Sequence, residues 1–315
     1  MKSLVFSMND QKYFITGATG LLGSEIVNLI DRSKVCDETF NRVDLRENYP
    51  KSDAKIWIHC AARVGGINAN STRPAEFFDD NMLMNMNVVR AARKNNSKLV
   101  SVLSTCIYPD KMHELYPMRE SSLHLGPPAV TNEAYAYSKR MLEYQSRAYR
   151  QQFGCNFISA VPNNLYGPND NYDLDSGHVI PALIRKFYEA KIFGYDHVDI
   201  WGSGKPLREF TFARDAAKII LWLAENYDDA EPVNIGNPKQ ISIMALAHMI
   251  AEEVGYEGGG NFDRSKPDGQ YQKPSSNEKL RSLGWNGEYT PLREGLRETI
   301  KSFVSRYPNV RGVTI

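Results

Sequence analysis

A tyrosine, a lysine and a serine form the first group whose types and spacing suggest chemistry. Tyr135 and Lys139 fall in a segment predicted to be helical, where positions i and i+4 share one face. The lysine ammonium is expected to favour the phenolate and lower the phenol pKa from about 10. Ser104 directly follows a predicted strand and can hydrogen-bond the same substrate oxygen. The three residues therefore predict proton exchange with a carbonyl or alcohol oxygen.

Cys106 and His178 are candidates for a second kind of proton transfer. Cys106 lies two residues after Ser104, and a thiolate has the pKa range to remove a proton from carbon next to a ketone. His178 opens a predicted helix beside a polar loop, where it can protonate the opposite face of the resulting carbanion. The other histidines have no such neighbours and are interpreted as structural.

A glycine-rich turn after the first predicted strand indicates a dinucleotide site. Gly17, Gly20 and Gly23 have the spacing G-x-x-G-x-x-G and open the first predicted helix. The first glycine permits a tight turn, the second lets a pyrophosphate approach the backbone, and the third lets helix and strand pack closely. The free N–H groups at the start of the helix suit an anionic ligand.

The residues alone leave the choice between NAD and NADP open. Asp37 and Glu38 lie about twenty residues after the turn, where a carboxylate suits the ribose 2′-hydroxyl of NAD. Arg32, Lys34 and Arg42 are nearby and suit the 2′-phosphate of NADP.

These groups need a scaffold that brings strand ends and helix starts together. In the first half, strands alternate with helices at residues 13–16, 21–30, 56–60, 74–94, 99–103, 133–152 and 157–161. This order predicts an α/β fold, a Rossmann-type doubly wound parallel sheet with helices on both faces. Ligands of such sheets bind outside the carboxyl ends of the strands.

The second half predicts a smaller C-terminal α/β lobe for the substrate. Polar loops are expected at 163–177 and 258–277, with elements between them at 180–190, 199–201, 215–226, 233–235 and 243–254. We place a dinucleotide-binding domain at 1–163, including a return segment near 210–240, and the substrate lobe at 164–315.

Composition limits the classes of partner. The chain of 315 residues is 42% hydrophobic and 24% charged, with a formal net charge of +1. These values are ordinary for a soluble globular protein and give no positive field for nucleic acid or a membrane surface. No apolar run approaches about 18 residues, and we do not expect a secretory signal. Four scattered cysteines without a C-x-x-C pair argue against a metal site and favour a cytoplasmic location.

Longer motifs give a resemblance that covers almost the whole chain. They are AARVGGI at 61–67, STCIYP at 104–109, YAYSK at 135–139, NLYGPNDN at 164–171, HVIP at 178–181, WGSG at 201–204, REF at 208–210 and KPDG at 266–269. With these motifs and the glycine turn, the chain resembles the GDP-L-fucose synthases, which are extended short-chain dehydrogenases/reductases. The VGGI, SxCIYP and HVIP segments are specific to that family.

The resemblance implies a reaction in two parts on GDP-4-keto-6-deoxy-D-mannose, a nucleotide-sugar. The C4 ketone acidifies the protons on C3 and C5, and Cys106 as base and His178 as acid would invert both centres. NADPH would then deliver hydride to C4 while Tyr135 protonates the oxygen. Ser104 would orient that oxygen, and Lys139 would hold the nicotinamide ribose. The family also implies a homodimer formed by helices such as 74–94 and 133–152.

The resemblance also implies two sets of binding residues. Contacts with NADP(H) are expected from Gly17, Thr19, Gly20, Leu21, Leu22, Gly23, Arg42, Asp44, Leu45, Ala61, Ala62, Leu103, Ser104, Tyr135, Lys139, Pro162, Asn164, Leu165 and His178. Contacts with the nucleotide-sugar are expected from Asn164, Val179, Leu183, Lys186, Trp201, Arg208 and Asp268. Thr19 stands where some members carry an arginine for the 2′-phosphate, a role that Arg42 can take.

Other functions on this fold predict different residues. A nucleotide-sugar dehydratase needs a carboxylic acid pair just after the strand-end serine, where this chain has Thr105 and Cys106. A simple 4-epimerase has no need for Cys106 together with His178. A non-enzymatic dinucleotide sensor commonly lacks the pair formed by Tyr135 and Lys139.

Overall fold

The computed structural model of the protein describes residues 11–41, 43–266 and 268–314. The first half contains the elements β1 Tyr13–Thr16, α1 Leu21–Leu29, β2 Ile56–His59, α2 Ile67–Thr72, α3 Pro74–Lys94, β3 Lys98–Val102, α4 Glu133–Phe153 and β4 Phe157–Val161. The second half contains β5 Asn164–Tyr166, α5 Val179–Phe193, β6 His197–Trp201, β7 Leu207–Phe212, α6 Ala213–Asn226, β8 Val233–Asn234, β9 Gln240–Ser242, α7 Ile243–Val254, β10 Gly259–Asp263, α8 Glu278–Ser282 and α9 Leu292–Arg306.

The main sheet is parallel and has the strand order β1-β2-β3-β4-β8. On the free side of β1, Tyr13 pairs with Val35 through one parallel bridge. The chain therefore runs from β1 to one side and returns to the other, which confirms the Rossmann-type doubly wound α/β fold. The fold normally has a strand between α1 and β2 that pairs with the free side of β1. Here that strand is reduced to the single bridge at Val35.

Alternate residues of the strands enter two separate cores, because helices cover both faces of the sheet. Ile15 and Ile58 pack with α1 and α6, including Ile26 and Ile220. Phe14, Trp57 and Leu99 pack on the opposite face with α3 and α4, including Val88 and Leu142. The two cores hold the carboxyl ends of the strands at one edge.

The helices on the second face have clear start and stop signals. Pro74 stands at the first position of α3, where the missing N–H costs no helical hydrogen bond. Gly154 ends α4 with a φ of +65°, a left-handed conformation that glycine adopts without a steric penalty. Both helices have the bounds predicted from the sequence to within one residue.

The second half has its own core between helices and two small sheets. Ile184 and Phe187 of α5 pack with Ile250 of α7 and Phe303 of α9. The strands pair as β5-β7-β9 and β6-β10. The predicted loops were wrong in part, because β5 lies within 163–177 and β10 within 258–277. These strands have three and five residues, too few to show a clear alternation.

One segment of the second half joins the first. β8 pairs in parallel with β4, and α6 packs against α1. The boundary between two domains at residue 163 stays a prediction. Over the described ranges, no helix has the length and apolar character to cross a membrane.

Candidate active site

A cleft of about 1210 Å³ lies where the main sheet meets the second half. Segments that follow β1, β2, β3 and β4 form one wall, and α5, β6 and β7 contribute to the other. The predicted residues that line it are Gly17, Thr19, Gly20, Leu21, Leu22, Gly23, Ala61, Ala62, Leu103, Ser104, Cys106, Tyr135, Lys139, Pro162, Asn164, Leu165, His178, Val179, Leu183, Lys186, Trp201, Arg208 and Asp268.

The glycine turn is shaped for close approach of backbone atoms. Gly17 has a φ of +70°, and a Cβ there would lie 2.9 Å from the backbone nitrogen of Ala61. A Cβ on Gly23 would lie 2.2 Å from the carbonyl oxygen of Gly17. No side chain of the described ranges caps the start of α1, so its first N–H groups are free to bind phosphate oxygens.

Ser104, Tyr135 and Lys139 come together at the end of β3. The Ser104 hydroxyl lies close enough to the Tyr135 phenol to oppose the rise in its pKa, and it accepts a hydrogen bond of 3.3 Å from the N–H of Cys106. Lys139 is buried, and its Nζ donates a hydrogen bond of 2.9 Å to the carbonyl oxygen of Val102. Arg140 donates at 2.6 Å to the carbonyl oxygen of Ile107 and so ties α4 to the turn after β3.

The expectation that Lys139 lowers the pKa of Tyr135 was wrong for this structure. Burial raises the pKa of the Tyr135 phenol above its usual value, and nearby Cys106 adds to this effect. Lys139 Nζ lies 6.0 Å from the centroid of the tyrosine ring, and burial lowers the lysine pKa to about 8. The phenol is therefore neutral at pH 7, the state that can donate a proton.

Cys106 and His178 face the same cleft from different elements. Cys106 lies in the turn after β3, and its thiol interacts electrostatically with both Tyr135 and Arg208. His178 is the residue before α5 and is exposed to the cleft. The surrounding protein removes solvation from the charged imidazole of His178 and so lowers its pKa, and the charge of Arg311 lowers it further. The imidazole is therefore mostly neutral at pH 7.

One face of α5 forms part of the wall opposite the sheet. Val179, Leu183 and Lys186 follow the i, i+4, i+7 spacing that places side chains on one helical face. Lys186 Nζ donates to the carbonyl oxygen of Asp199 at 2.8 Å and lies 5.7 Å from the centroid of the Trp201 ring. Lys266 Nζ lies 5.2 Å from the same ring. The indole thus has two cations beside it.

Arg208 and Asp268 line the same cleft as Trp201 and make different contacts. Arg208 donates to the carbonyl oxygens of Leu207 and Tyr271, at 2.8 and 3.3 Å, and leaves its charge without an ion pair in the described ranges. Asp268 accepts from the N–H and the hydroxyl of Ser203, at 2.6 and 2.7 Å. The carboxylate therefore holds the turn after Trp201.

Two predicted coenzyme residues do not line the cleft, and a third lies outside the described residues. Asp44 binds Arg46, with its Oδ2 2.6 Å from the guanidinium. Leu45 packs against the core that lies between the main sheet and the helices α3 and α4. Arg46 itself lines the cleft. Arg42 is not among the described residues.

The carboxylates considered for NAD lie away from the cleft. Asp37 is exposed and pairs with Arg32 at 2.8 Å. Glu38 lines a separate small pocket with it. Neither side chain is placed to contact a ligand at the glycine turn.

Comparison with known sequences identifies the family of the chain. A family profile described as the NAD dependent epimerase/dehydratase family matches residues 13–236. The chain belongs to this family.

Several members of the NAD dependent epimerase/dehydratase family are similar over nearly the whole chain. A GDP-L-fucose synthase from Dictyostelium discoideum is 41% identical, over 94% of this chain and 96% of the relative. The GDP-L-fucose synthase of Escherichia coli K12 is 36% identical, over 97% of this chain and 100% of the relative. The crystal structure of a GDP-L-fucose synthetase from Naegleria fowleri bound to NADP matches with a TM-score of 0.86 and 36% identity, covering 96% of both chains.

The structure adds charged cleft residues that the sequence did not single out. Arg63, Asp170 and Arg311 line the cleft of this epimerase/dehydratase family member. Asp170 is buried, and burial raises the pKa of its carboxyl to about 7. Arg63 and Asp170 lie within motifs that carried the resemblance. Arg311 had no sequence signal, because it lies far along the chain from every other cleft segment.

Proposed function

We propose that the protein converts GDP-4-keto-6-deoxy-D-mannose to GDP-L-fucose, with epimerisation at C3 and C5 and NADPH-dependent reduction at C4. The observation that carries this proposal is that Cys106 and His178 share one cleft with Ser104, Tyr135 and Lys139. Relatives named GDP-L-fucose synthase, which are 33–41% identical over nearly the full chain, support this choice of substrate.

The residues of the glycine turn fit a nicotinamide dinucleotide. The space that a Cβ would fill at Gly17 and Gly23 is occupied by backbone, which keeps the turn tight. The N–H groups of α1 and the cleft-lining Ala61 and Ala62 would hold the coenzyme. When bound, NADPH supplies the hydride that C4 receives. Lys139 would hold the nicotinamide ribose.

Cys106 acts as the base of the epimerisation. At each of the two centres, C3 and C5, the C–H bond breaks, and its proton passes to the thiolate of Cys106. The electron pair moves to the C4 ketone and gives an enolate, which at C3 is an enediolate. His178, once protonated, returns a proton to the opposite face of the carbon. Because the cleft is open, thiol and imidazole regain their starting states by exchange with water.

Tyr135 protonates the oxygen when C4 is reduced. Its neutral phenol gives the proton to the O4 alkoxide, and the Ser104 hydroxyl orients that oxygen. The nearby Lys139 ammonium stabilises the phenolate that remains.

The nucleotide part of the substrate lies against the second half. Arg208 offers paired donors to the diphosphate, and Trp201 offers a face for a ring. Lys186 adds positive charge near the indole. Asp268 holds the turn that presents Trp201, and Asn164 holds β7 by donating to the carbonyl oxygen of Glu209 at 2.7 Å.

We also propose that the protein is a cytoplasmic homodimer. The four cysteines are free thiols, as expected in a reducing compartment. Phe78 and Leu83 of α3 and Met141 and Tyr144 of α4 are large apolar or aromatic residues exposed on two helices that pack side by side. Such a pair of helices can pack on its own copy across a two-fold axis.

Purified protein mixed with GDP-4-keto-6-deoxy-D-mannose and NADPH tests the reaction. We expect loss of NADPH absorbance and GDP-L-fucose as the product. An unepimerised 6-deoxy sugar would keep the reductase but remove the roles of Cys106 and His178. No turnover with NADPH or NADH would contradict the proposal and point to another nucleotide-sugar or a dinucleotide sensor.

A further inference from the structure

An arginine that the proposed mechanism does not use lies in the wall of the cleft. Arg311 follows α9 and lines the same cleft as Gly23, Asp170 and His178. Its charge adds to burial in lowering the pKa of the His178 imidazole. It also opposes the larger effect of burial, which raises the pKa of the Asp170 carboxyl. The guanidinium is thus electrostatically part of the site.

Backbone contacts fix the position of Arg311. Its carbonyl oxygen accepts a hydrogen bond of 2.9 Å from the N–H of Tyr172. Arg185 donates to the carbonyl oxygens of Tyr172 and Gly312, at 3.1 and 3.0 Å. Gly312 has a φ of +85°, and a Cβ there would lie 2.3 Å from Oδ1 of Asn171. Glycine allows this close approach, so the segment is held firmly against the loop that carries Tyr172.

The same loop is attached to the helix that follows the glycine turn. Asn169 donates at 2.9 Å to the hydroxyl of Ser24 in α1. Arg306 of α9 donates at 2.9 Å to Oδ1 of Asn169. Leu21, the first residue of α1, packs close to Gly167 of the loop: a Cβ added to Gly167 would lie 3.3 Å from the Leu21 side chain. The loop therefore connects Arg311 to the first turns of α1.

The guanidinium of Arg311 is available for an anion. Across residues 11–41, 43–266 and 268–314, it has no hydrogen-bonding or ion-pair partner. By contrast, Arg46 binds Asp44 and Arg63 binds Asp80, each at 2.6 Å. A guanidinium presents a fork of donors that matches two phosphate oxygens.

We propose that Arg311 binds the diphosphate of the nicotinamide dinucleotide, opposite the N–H groups of α1. This inference rests on the proposed use of NADPH. A nucleotide-sugar also carries a diphosphate, but the attachment of the loop to α1 favours the dinucleotide. Arg208 serves the other diphosphate near Trp201.

Direct binding of NADPH to the full chain, without nucleotide-sugar, tests this assignment. We expect Arg311→Gln to raise the Kd for NADPH about tenfold or more, because a charge-assisted pair of hydrogen bonds is lost. The Kd should also depend less on salt. Arg297→Gln is the matched control, because Arg297 lies on the surface of α9 and pairs with Glu253 of α7. GDP, titrated in parallel, should bind all three proteins equally.

Several results would overturn the assignment of Arg311 to the dinucleotide. NADPH affinity unchanged in Arg311→Gln removes the contact, and a loss confined to GDP assigns the arginine to the nucleotide-sugar. If Arg311→Gln does not fold, Arg311→Lys, which keeps the charge without the fork, should still raise the Kd, and wild-type affinity would contradict the proposal. Failure of the wild-type protein to bind NADPH would instead overturn the proposed function, and this inference with it.

Discussion

At the scale of single residues, burial assigns different protonation states to Tyr135 and Lys139. The phenol pKa is raised, so Tyr135 stays protonated well above neutral pH. The lysine pKa is lowered to about 8, so its charge is present below that pH and lost above it. The phenolate left after proton donation needs a nearby cation, and we therefore expect the reduction to depend on charged Lys139.

Reduction should slow as the pH rises through about 8. Lys139→Arg should abolish this decline up to pH 9.5, because a guanidinium stays charged. The rate of this variant should fall below the wild-type rate by a factor of no more than about ten. The measurement is single-turnover NADPH oxidation between pH 6 and 9.5. Lys191→Arg, on α5 and bonded to the carbonyl oxygen of Val254, should keep the wild-type profile. A decline retained in Lys139→Arg would show that another group titrates.

Removal of the thiol should separate epimerisation from coenzyme binding. In Cys106→Ser, incorporation of solvent deuterium at C3 and C5 should fall about 10²- to 10⁴-fold, the usual contribution of a general base. NADPH affinity should stay within twofold of wild type. Mass spectrometry of the sugar measures the exchange, and Cys155→Ser, outside the cleft-lining set, serves as the control. Normal exchange in Cys106→Ser would exclude Cys106 as the base.

The candidate residues differ in how far the sequence could predict them. Tyr135 and Lys139 share a helical face, so one regular element was enough to place them together. Asp44 was misplaced because its carboxylate turns back to Arg46, a local hydrogen-bond choice that spacing does not encode. Arg311 depends on tertiary contacts between a late segment and the loop at Tyr172, which no local pattern reports.

At the scale of elements, predictability followed length and periodicity. α3 and α4 have 21 residues each with a polar and an apolar face, so their bounds were predicted well. β5 has three residues, which is too short for a pattern. A buried chain of hydrogen bonds that joins β1, β2, α3 and α4 could not be predicted either. His59 binds Thr16 at 2.8 Å and Asn85 at 3.0 Å, and Asn85 donates to the carbonyl oxygen of Ser138.

The glycine turn gives a prediction at this scale. Gly23→Ala should weaken NADPH binding at least tenfold, because the new Cβ would lie 2.2 Å from the carbonyl oxygen of Gly17 and must displace the turn. Gly154→Ala is the control: it also introduces strain, at φ +65°, but meets no atom within 4 Å. It should lower the free energy of unfolding by about 1 kcal/mol and leave the Kd for NADPH unchanged. Equal NADPH binding by Gly23→Ala would contradict the tight-turn argument.

At the scale of the whole molecule, the candidate active site and the exposed helix pair use different faces of the same elements. α4 presents Tyr135 and Lys139 to the cleft near its start, and Met141 and Tyr144 to solvent further along. A dimer formed through α3 and α4 would therefore contact the outer face of the helix that carries Tyr135 and Lys139 without covering the cleft.

Breaking this surface should yield monomers that still bind coenzyme. We expect the wild-type protein to sediment as a dimer of 35.7 kDa chains, and Leu83→Arg to sediment as a monomer, because four-helix packing cannot bury an unpaired guanidinium. Ile192→Arg, an equally exposed apolar position on α5, should remain dimeric. Because no cleft residue changes, the Kd for NADPH of Leu83→Arg should stay within a few-fold of wild type. A dimeric Leu83→Arg would move the interface away from α3, and a monomeric wild type would remove the homodimer from the proposal.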